Sequence, residues 1–262
     1  MTAQSIWNDI EKLRAAAPLV HNITNYVVMN NTANALLAIG ASPVMAHATE
    51  EVEEMVGIAS ELVINIGTLS REWIQAMELA MQAAARKGIP IVFDPVGAGA
   101  TSYRTRTCLE LLQKTAPTII RGNASEIMAL LDSNIKTKGV DSSAVGRTAD
   151  SAAVALAKEY GCVVVVSGET DLVTDGKTKR YVNNGHALMP KVTGLGCTAS
   201  SLVGAFAAIN PDRMAAATHA MAVMGICGEL AVETAAGPAS LQINFIDCLF
   251  SLNEQQITRV LR

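Results

Sequence analysis

The sequence predicts an α/β domain in which a mostly parallel central sheet carries helices on both of its faces. Short apolar segments bounded by turn residues alternate with longer segments of helical periodicity, and this alternation is typical of buried parallel strands joined by crossover helices. The chain has 262 residues, 50% of them hydrophobic, which is enough to bury a large core. We therefore expect residues 1–262 to form one domain.

The elements can be assigned in chain order. The N-terminal segment carries charged side chains at helical spacing, which predicts a first helix. Six strands are then predicted, at Leu19 to Asn22, Pro43 to Met45, Leu62 to Asn65, Ile89 to Phe93, Thr118 to Ile120 and Cys162 to Ser167. The helices expected between them are Asn25 to Ile39, Glu50 to Ala59, Arg71 to Lys87, Thr105 to Lys114, Ala124 to Leu130 and Ala149 to Tyr160.

The remaining segments differ in character. A hairpin is predicted around the turn Asp175-Gly176-Lys177, because polar segments of strand-like pattern flank it. The polar, Lys- and Ser-rich interval Asp132 to Thr148 predicts a surface loop. Residues Met189 to Val192 have a strand-like pattern, and from Gly194 onward the chain is predicted to be almost wholly helical.

Composition and charge exclude several classes of function. Charged residues make up 17% of the chain and the formal net charge is -4, so we expect no surface for nucleic acid. The five cysteines include no Cys-x-x-Cys pair, which argues against a disulfide framework or a structural zinc site. The N-terminus lacks a signal-peptide pattern, and Glu229 and Glu233 interrupt the apolar stretch Met214 to Ala236. We therefore expect a buried helix there, no membrane span and a cytoplasmic protein.

A glycine turn, Gly194-Leu195-Gly196-Cys197, precedes a helix of small and apolar residues. Two glycines allow a tight turn, and the first amides of the helix then converge with the positive end of its dipole to make an anion site. A thiol at a helix N-terminus is expected to be shifted toward thiolate, so Cys197 would stand beside the anion as a reactive group. The alternative is a purely structural turn with a small buried cysteine.

Two carboxylates follow strands at the edge where open α/β sheets bind their ligands. Asp94 ends an apolar strand and could hold Mg²⁺ directly or through water. Glu126 follows the next strand and would give a second carboxylate to the same ion. Each also has a local explanation: Asp94 could cap its own turn, and Glu126 forms a capping box with Asn123.

Three polar residues at strand ends are candidates for ligand contacts. Arg121 can bind phosphate oxygens with its planar fork. Ser167 could donate to a nucleotide phosphate, or it could satisfy only the local backbone. Asn25 is a candidate N-cap of the following helix, and from the same place it could fix a small ligand.

Taken together and in this order, these motifs resemble the ribokinase-like superfamily and, within it, the hydroxyethylthiazole kinase family. The resemblance covers nearly the whole chain and rests on His21-Asn22-Ile23-Thr24-Asn25, Asp94-Pro95-Val96-Gly97-Ala98, Arg121-Gly122-Asn123-Ala124-Ser125-Glu126, Ser167 and the glycine turn. It implies a three-layer sandwich that transfers the γ-phosphoryl group of ATP to the hydroxyethyl group of a methylthiazole in thiamine biosynthesis or salvage. It also implies a homotrimer whose sites lie between subunits.

The same resemblance implies roles for single residues. Arg121 and Ser167 would contact ATP, Asp94 and Glu126 would serve Mg²⁺, and Met45, Gly194 and Asn25 would hold the thiazole alcohol. Gly194 and Gly196 would place the anion hole of the transferring group, with Cys197 beside it. The superfamily usually has aspartate as the base where Cys197 stands, so the identity of the base is open.

Other classes remain as alternatives at this point. A thiol hydrolase would use Cys197 as nucleophile and would need a histidine as base; the candidates are His21, His47, His186 and His219. A binding protein without turnover would retain ATP and Mg²⁺. A hydroxymethylpyrimidine or pyridoxal kinase would share the fold, although these kinases usually keep aspartate in the glycine turn.

Overall fold

A computed structural model describes residues 1–137 and 148–262 of the chain, with side chains for all of these except 132–137. The strands are β1 Leu19–Ile23, β2 Ser42–Val44, β3 Glu61–Asn65, β4 Ile91–Asp94, β5 Ile119–Asn123, β6 Val163–Ser167, β7 Asp171–Thr174 and β8 Lys179–Val182. The α-helices are α1 Ala3–Ala16, α2 Met29–Ile39, α3 Val52–Ile58, α4 Arg71–Lys87, α5 Ser102–Lys114, α6 Ala124–Thr137, α7 Ala149–Tyr160, α8 Leu195–Ile209, α9 Arg213–Val232, α10 Pro238–Ser251 and α11 Glu254–Val260.

The strands form one sheet in the order β2-β1-β3-β4-β5-β6-β7-β8. Neighbours from β2 to β6 pair in parallel, whereas β7 and β8 pair antiparallel as the predicted hairpin. Helices cover both faces of this sheet, so the predicted α/β fold with a mostly parallel sheet is confirmed.

The two faces of the sheet carry separate cores, because side chains alternate along each strand. On β3, for example, Val63 faces the core formed by α1, α2, α8, α9, α10 and α11. Its neighbours Leu62 and Ile64 face the core formed by α3, α4, α5, α6 and α7. Helix α8 packs centrally on the first face, against β1, β3 and β4, and this packing brings the glycine turn to the sheet edge.

Local signals explain why α4 and α7 have the predicted bounds. Ser70 caps α4 by accepting a hydrogen bond from the backbone of Trp73, and Thr148 caps α7 in the same way from Ser151. Both helices end at a glycine in the left-handed region, Gly88 at φ 78° and Gly161 at φ 62°.

Two smaller differences lie at β5, which continues three residues past its predicted end so that Arg121 lies within the strand, and at α5, which begins three residues before its predicted start. Three predictions are wrong by more than this or in the type of element. Helix α2 begins at Met29 with Val28 at its N-cap, so Asn25 is not a helix cap; its amide instead bonds across the sheet to Asn65. Residues Met189–Lys191 form a 3₁₀ turn rather than a strand, because Pro190 has no N–H to donate to a sheet.

The third of these predictions concerns the loop Asp132 to Thr148. Helix α6 continues to Thr137, since residues 132–137 contain neither Gly nor Pro to end it. Residues 138–147 of that predicted loop lie outside the described residues. The described chain resumes at Thr148, which is the N-cap of α7.

Helix α9 is the buried apolar helix that the sequence predicts. In the described part of the chain it alone has the length and apolar composition of a membrane span, and 83% of its apolar window is buried within the fold. It packs against α8 and α10, so its apolar character is explained by the core.

Glu61, at the amino end of β3, is a fully buried carboxyl group far from the edge described below. Burial raises its pKa well above 4.5, and the backbone of Val92 and the charge of Arg213 offset only part of this effect. It packs against Gly204 of α8, where any Cβ would collide with the carboxyl group. Between the unfolded pKa and the higher folded pKa, the folded protein therefore keeps a proton that the unfolded chain releases.

This proton makes stability depend on pH. The folded pKa is higher than the unfolded pKa, so unfolding becomes easier as the pH rises above about 4.5, by up to about 1.4 kcal/mol per pH unit from this group. We expect Glu61→Gln to remove that slope in urea unfolding measured at pH 5.5 and 7.5. The exposed variant Glu54→Gln should keep it, and identical slopes in all three proteins would contradict the assignment.

Candidate functional site

The candidate site lies where the strand order of the sheet reverses. From β1 the chain passes to β2 on one side and then to β3 on the other, and in open α/β sheets this switch point opens a crevice at the carboxyl ends of the strands. Asn25 follows β1, Asn65 ends β3 and Asp94 ends β4. The N-terminus of α8 points into this crevice, between these side chains.

The glycine turn differs from its prediction in one respect. Gly194 alone has a left-handed backbone, at φ 86°, and it is the N-cap of α8. Gly196 already lies in the first helical turn. A Cβ on Gly194 would also stand 2.7 Å from Val28 Cγ1, so this position requires glycine both for its backbone and for its neighbour.

Backbone amides converge at the start of α8. The first intrahelical bond is donated by Thr198 to the carbonyl of Gly194, at 2.9 Å. The amides of Leu195, Gly196 and Cys197 therefore precede the hydrogen-bonded part of the helix, at the positive end of its dipole. This is an arrangement suited to an anion.

Arg121 brings a positive charge to the same place. Its Nη1 donates to the carbonyl oxygen of Gly196 at 2.9 Å, and its Nη2 donates to Ser167 Oγ at 2.6 Å. The residue is 8% exposed, and its buried Nε has no hydrogen-bond partner in the described chain. The positive guanidinium of Arg121 and the positive end of the α8 dipole lie side by side, and one guanidinium donor is unpaired. A bound anion would attract both positive groups and accept from that donor, so this arrangement favours an anion.

Ser167 makes the local backbone contact that is one of its two predicted roles, and it also contacts Arg121. Its Oγ donates to the carbonyl of Gly122 at 3.3 Å and accepts from Arg121. Next to it, the backbone of Gly168 donates to Asp171 Oδ1 at 3.0 Å, and burial raises the pKa of Asp171 to about 6 despite this bond and the nearby Arg121. The sequence did not indicate that Asp171 would lie near Arg121, because it begins a hairpin strand rather than ending a parallel one.

Asp94 is buried, and only one of its two carboxylate oxygens accepts hydrogen bonds from described residues. Its Oδ2 accepts hydrogen bonds from Asn65 Nδ2 and from Ser200 Oγ, each at 2.8 Å. Its Oδ1 has no partner among the described residues. Burial raises the pKa of Asp94 to about 6, although the charge of Arg121 partly counters this effect. A buried, unpaired carboxylate oxygen is a suitable ligand for Mg²⁺.

Glu126 forms the capping box that its spacing predicts. Its Oε2 accepts from the backbone of Asn123 at 2.9 Å, and its own backbone donates to Asn123 Oδ1 at 3.0 Å. Its Oε1 accepts from the backbone of Gly97 at 2.8 Å. The charge of Glu126 also acts on Asp94. Among residues 1–131 and 148–262, whose side chains are described, there is no group of three or more His, Cys, Asp or Glu side chains suited to a metal.

Cys197 lies half-buried beside Asp94 and Asn25. Asn25 Nδ2 donates to its Sγ at 3.4 Å. The expected shift toward thiolate is wrong: burial and the charge of Asp94 raise the pKa of Cys197 above its ordinary value, outweighing the nearby amides and Arg121. The helix N-terminus was visible in the sequence, whereas the surrounding burial was not.

Met45 lies one strand away from these groups. It follows the edge strand β2, which pairs with β1, and it is half-buried. The carbonyl of the next residue, Ala46, lies 2.8 Å from His21 Nε2. The structure thus gathers Asn25, Asp94 and Cys197 closely and leaves Met45 at the margin of the crevice.

The histidines of the chain serve other contacts. His219 Nδ1 lies 2.7 Å from Asp9 Oδ2, between α9 and α1. His47 packs on the ring of Trp73 with centroids 4.5 Å apart, and His186 caps a turn at Leu188. Within the described residues no histidine hydrogen-bonds to Cys197, so a cysteine hydrolase lacks its base.

Comparison with known proteins agrees with this geometry. The model of the hydroxyethylthiazole kinase family matches residues 10–255. A protein of Syntrophus aciditrophicus named hydroxyethylthiazole kinase is 57% identical, covering 100% of this chain and 97% of its own. A protein of the same name from Leptospira biflexa is 57% identical, covering 97% of this chain and 95% of its own.

Solved structures give the same result. The hydroxyethylthiazole kinase protein of Pyrococcus horikoshii superimposes with a TM-score of 0.91 at 44% identity, covering 99% of this chain and 98% of its own. A ribokinase-like superfamily protein of Enterococcus faecalis has a TM-score of 0.67 at 12% identity, covering 98% and 96% of the two chains, and shows the shared fold. The chain therefore belongs to the hydroxyethylthiazole kinase family.

Proposed function

We propose that the chain, acting as one kinase domain, transfers the γ-phosphoryl group of ATP to the hydroxyl of 4-methyl-5-(2-hydroxyethyl)thiazole. The product would be the thiazole phosphate used for thiamine phosphate biosynthesis or salvage. Family membership supports this reaction. One observation assigns phosphate binding to particular residues: the buried Nε of Arg121, next to the start of α8, has no hydrogen-bond partner among the described residues. Mass spectrometry of the alcohol after incubation with ATP tests it, since a kinase adds one phosphate to the alcohol itself.

The phosphates of ATP would lie between Arg121, Ser167 and the amides of the glycine turn. Phosphoryl transfer passes through a loose transition state, so catalysis depends on positioning and on charge stabilisation. Gly194 and Gly196 contribute through the backbone, because they let the α8 amides approach the transferring group. Arg121 contributes its charge and its fork.

Asp94, with Glu126 beside it, would hold Mg²⁺. The unpaired Asp94 Oδ1 fits such an ion. When bound, Mg²⁺ neutralises charge on the phosphate oxygens. Both oxygens of Glu126 already accept backbone hydrogen bonds, so we infer that Asp94 has the larger part.

The alcohol would bind on the other side of Cys197, near Asn25, Gly194 and Met45. The raised pKa of Cys197 keeps its thiol protonated at neutral pH, so it is a poor general base as it stands. Cys197 would then act by filling the space beside the hydroxyl, and the rate would depend mainly on the phosphate site.

Substitutions of Cys197 separate these roles. We expect Cys197→Ser to stay active at a reduced level, because the α8 amides are untouched, and Cys197→Asp to keep or raise the rate, because a carboxylate is the better base. ADP release and ester hydrolysis of the three proteins measure this. Complete loss of ADP release in Cys197→Asp would contradict the placement of this residue beside the substrate hydroxyl. Loss of ester hydrolysis alone in both variants would instead identify a nucleophilic hydrolase.

We infer that the working form is a cytoplasmic homotrimer with sites between subunits. Tyr26 and Val27 support this inference, since they follow Asn25 at the crevice and are 65% and 66% exposed. A neighbouring subunit covering them would exclude water from the transfer.

A further inference from the structure

Two side chains outside the residues assigned so far contact the candidate Mg²⁺ ligand. Asn65 Nδ2 and Ser200 Oγ both donate to Asp94 Oδ2, at 2.8 Å each. Asn65 comes from the end of β3 and Ser200 from the second turn of α8, so the carboxylate is held from the sheet and from the helix at once. Asp94 and both of its donors are buried.

These two bonds fix the orientation of the Asp94 carboxylate. With one oxygen, Oδ2, accepting from two donors, tilting or turning the carboxylate away from them would break both bonds within a buried site, which is costly. The second oxygen, Oδ1, is therefore held unpaired in a fixed direction. Carboxylate ligands of metals generally depend on such outer partners for their orientation.

Asn65 also reaches toward the alcohol side of the site. Its Oδ1 accepts from Asn25 Nδ2 at 3.0 Å and from the backbone of Gly67 at 2.9 Å. Asn25 in turn donates to Cys197 Sγ. One amide group thus joins the carboxylate to the residues proposed to lie beside the alcohol.

We propose that Asn65 and Ser200 are positioning residues that hold Asp94 with Oδ1 toward the metal, and that Asn65 couples this carboxylate to the alcohol site through Asn25. The proposal rests on the proposed function, because it takes Asp94 as the ligand of the Mg²⁺ that accompanies ATP. Asn65 and Ser200 would touch neither substrate.

Helix α8 offers a matched control at the next position. Ser201 is buried like Ser200, and its Oγ donates to a strand-end oxygen at a similar distance, Asn22 Oδ1 at 2.7 Å. Ser200→Ala and Ser201→Ala therefore remove the same atom from the same helix with a similar loss of packing. They differ in which acceptor loses its donor: Asp94 in Ser200→Ala, and Asn22 with the more distant carbonyl of Cys197, at 3.4 Å, in Ser201→Ala.

Electron paramagnetic resonance of Mn²⁺ in the presence of ADP tests the proposal on the whole protein without turnover. We expect Ser200→Ala to weaken Mn²⁺ binding about tenfold and Ser201→Ala to leave it unchanged. In turnover assays Ser200→Ala should keep the KM for the alcohol and recover its rate at high Mn²⁺. Asn65→Ala should weaken Mn²⁺ binding and raise that KM as well.

Equal Mn²⁺ binding by Ser200→Ala and wild type, or an equal loss in Ser201→Ala, would overturn the proposal. Ser200→Cys keeps a side chain of similar size with a weaker hydrogen-bond donor, so it should lose less Mn²⁺ affinity than Ser200→Ala. It replaces the alanine variant in the test if that variant does not fold. Failure of the proposed function would look different: wild type would release no ADP with the thiazole alcohol, while the difference between the two serine variants in Mn²⁺ binding remained.

Discussion

Replacing Asp94 by asparagine is expected to lower kcat at least about a hundredfold, with most of the loss arising through Mg²⁺. Asparagine has the same shape and can still accept from Ser200, so the fold is retained while the charge beside the unpaired Oδ1 is lost. Steady-state rates measured over a range of Mg²⁺ concentrations give both the loss and its cause. Partial recovery of turnover at high Mg²⁺ is the expected signature.

Glu126→Gln is the natural comparison. Its two oxygens accept from the backbones of Gly97 and Asn123, and glutamine keeps one of these acceptors. We expect a smaller loss of rate than in Asp94→Asn, again relieved by Mg²⁺. If both variants kept normal rates and normal Mg²⁺ dependence, the metal assignment would be wrong and the capping box would be the whole explanation of Glu126.

Arg121→Ala is expected to raise the KM for ATP about tenfold to a hundredfold and to change the KM for the alcohol far less. A charged hydrogen bond to phosphate is worth about 1.5 to 3 kcal/mol. Arg121 has an unpaired Nε, and its Nη1 contacts Gly196 in the first turn of α8. Initial rates with each substrate varied in turn measure the two constants.

Two further variants test how the geometry of Arg121 contributes to phosphate binding. Arg121→Lys keeps the charge and loses the planar fork, so we expect an intermediate KM for ATP. Ser167→Ala removes the partner that Arg121 Nη2 contacts at 2.6 Å and should cost less than loss of the arginine. Unchanged ATP kinetics in Arg121→Ala would remove Arg121 from the phosphate site.

Most of the fold was predictable from local patterns. The segment Val163–Ser167 is a buried strand because four consecutive valines suit the interior of a parallel sheet. Helix α4 has its predicted bounds because Ser70 and Gly88 mark both ends. The predicted helix cap at Asn25 was wrong, because its side-chain amide hydrogen-bonds to Asn65 on another strand. No local sequence pattern indicates such a contact.

The proximity of several candidate residues was predictable, and their chemistry was less so. The predicted strand ends singled out Asp94 and Arg121, although Arg121 lies within β5 in the structure, and the glycine turn singled out Cys197. The state of Cys197 depends on how deeply it is buried and on the charge of Asp94, and these are tertiary properties. Ser200 contacts Asp94 across 106 positions of the chain, so a serine in an apolar helix gave no signal of its own.

The central claim is that this chain is an ATP-dependent kinase of the thiazole alcohol, and coupled ADP release tests it most directly. The assay compares hydroxyethylthiazole with hydroxymethylpyrimidine, pyridoxal and a sugar alcohol at saturating ATP and at the lowest Mg²⁺ concentration that supports wild-type turnover, with Asp94→Asn as the low-activity control. We predict ADP release that depends on the thiazole alcohol and is strongly reduced in the control. Faster release with the pyrimidine, pyridoxal or the sugar, or no release with any alcohol, would contradict the claim.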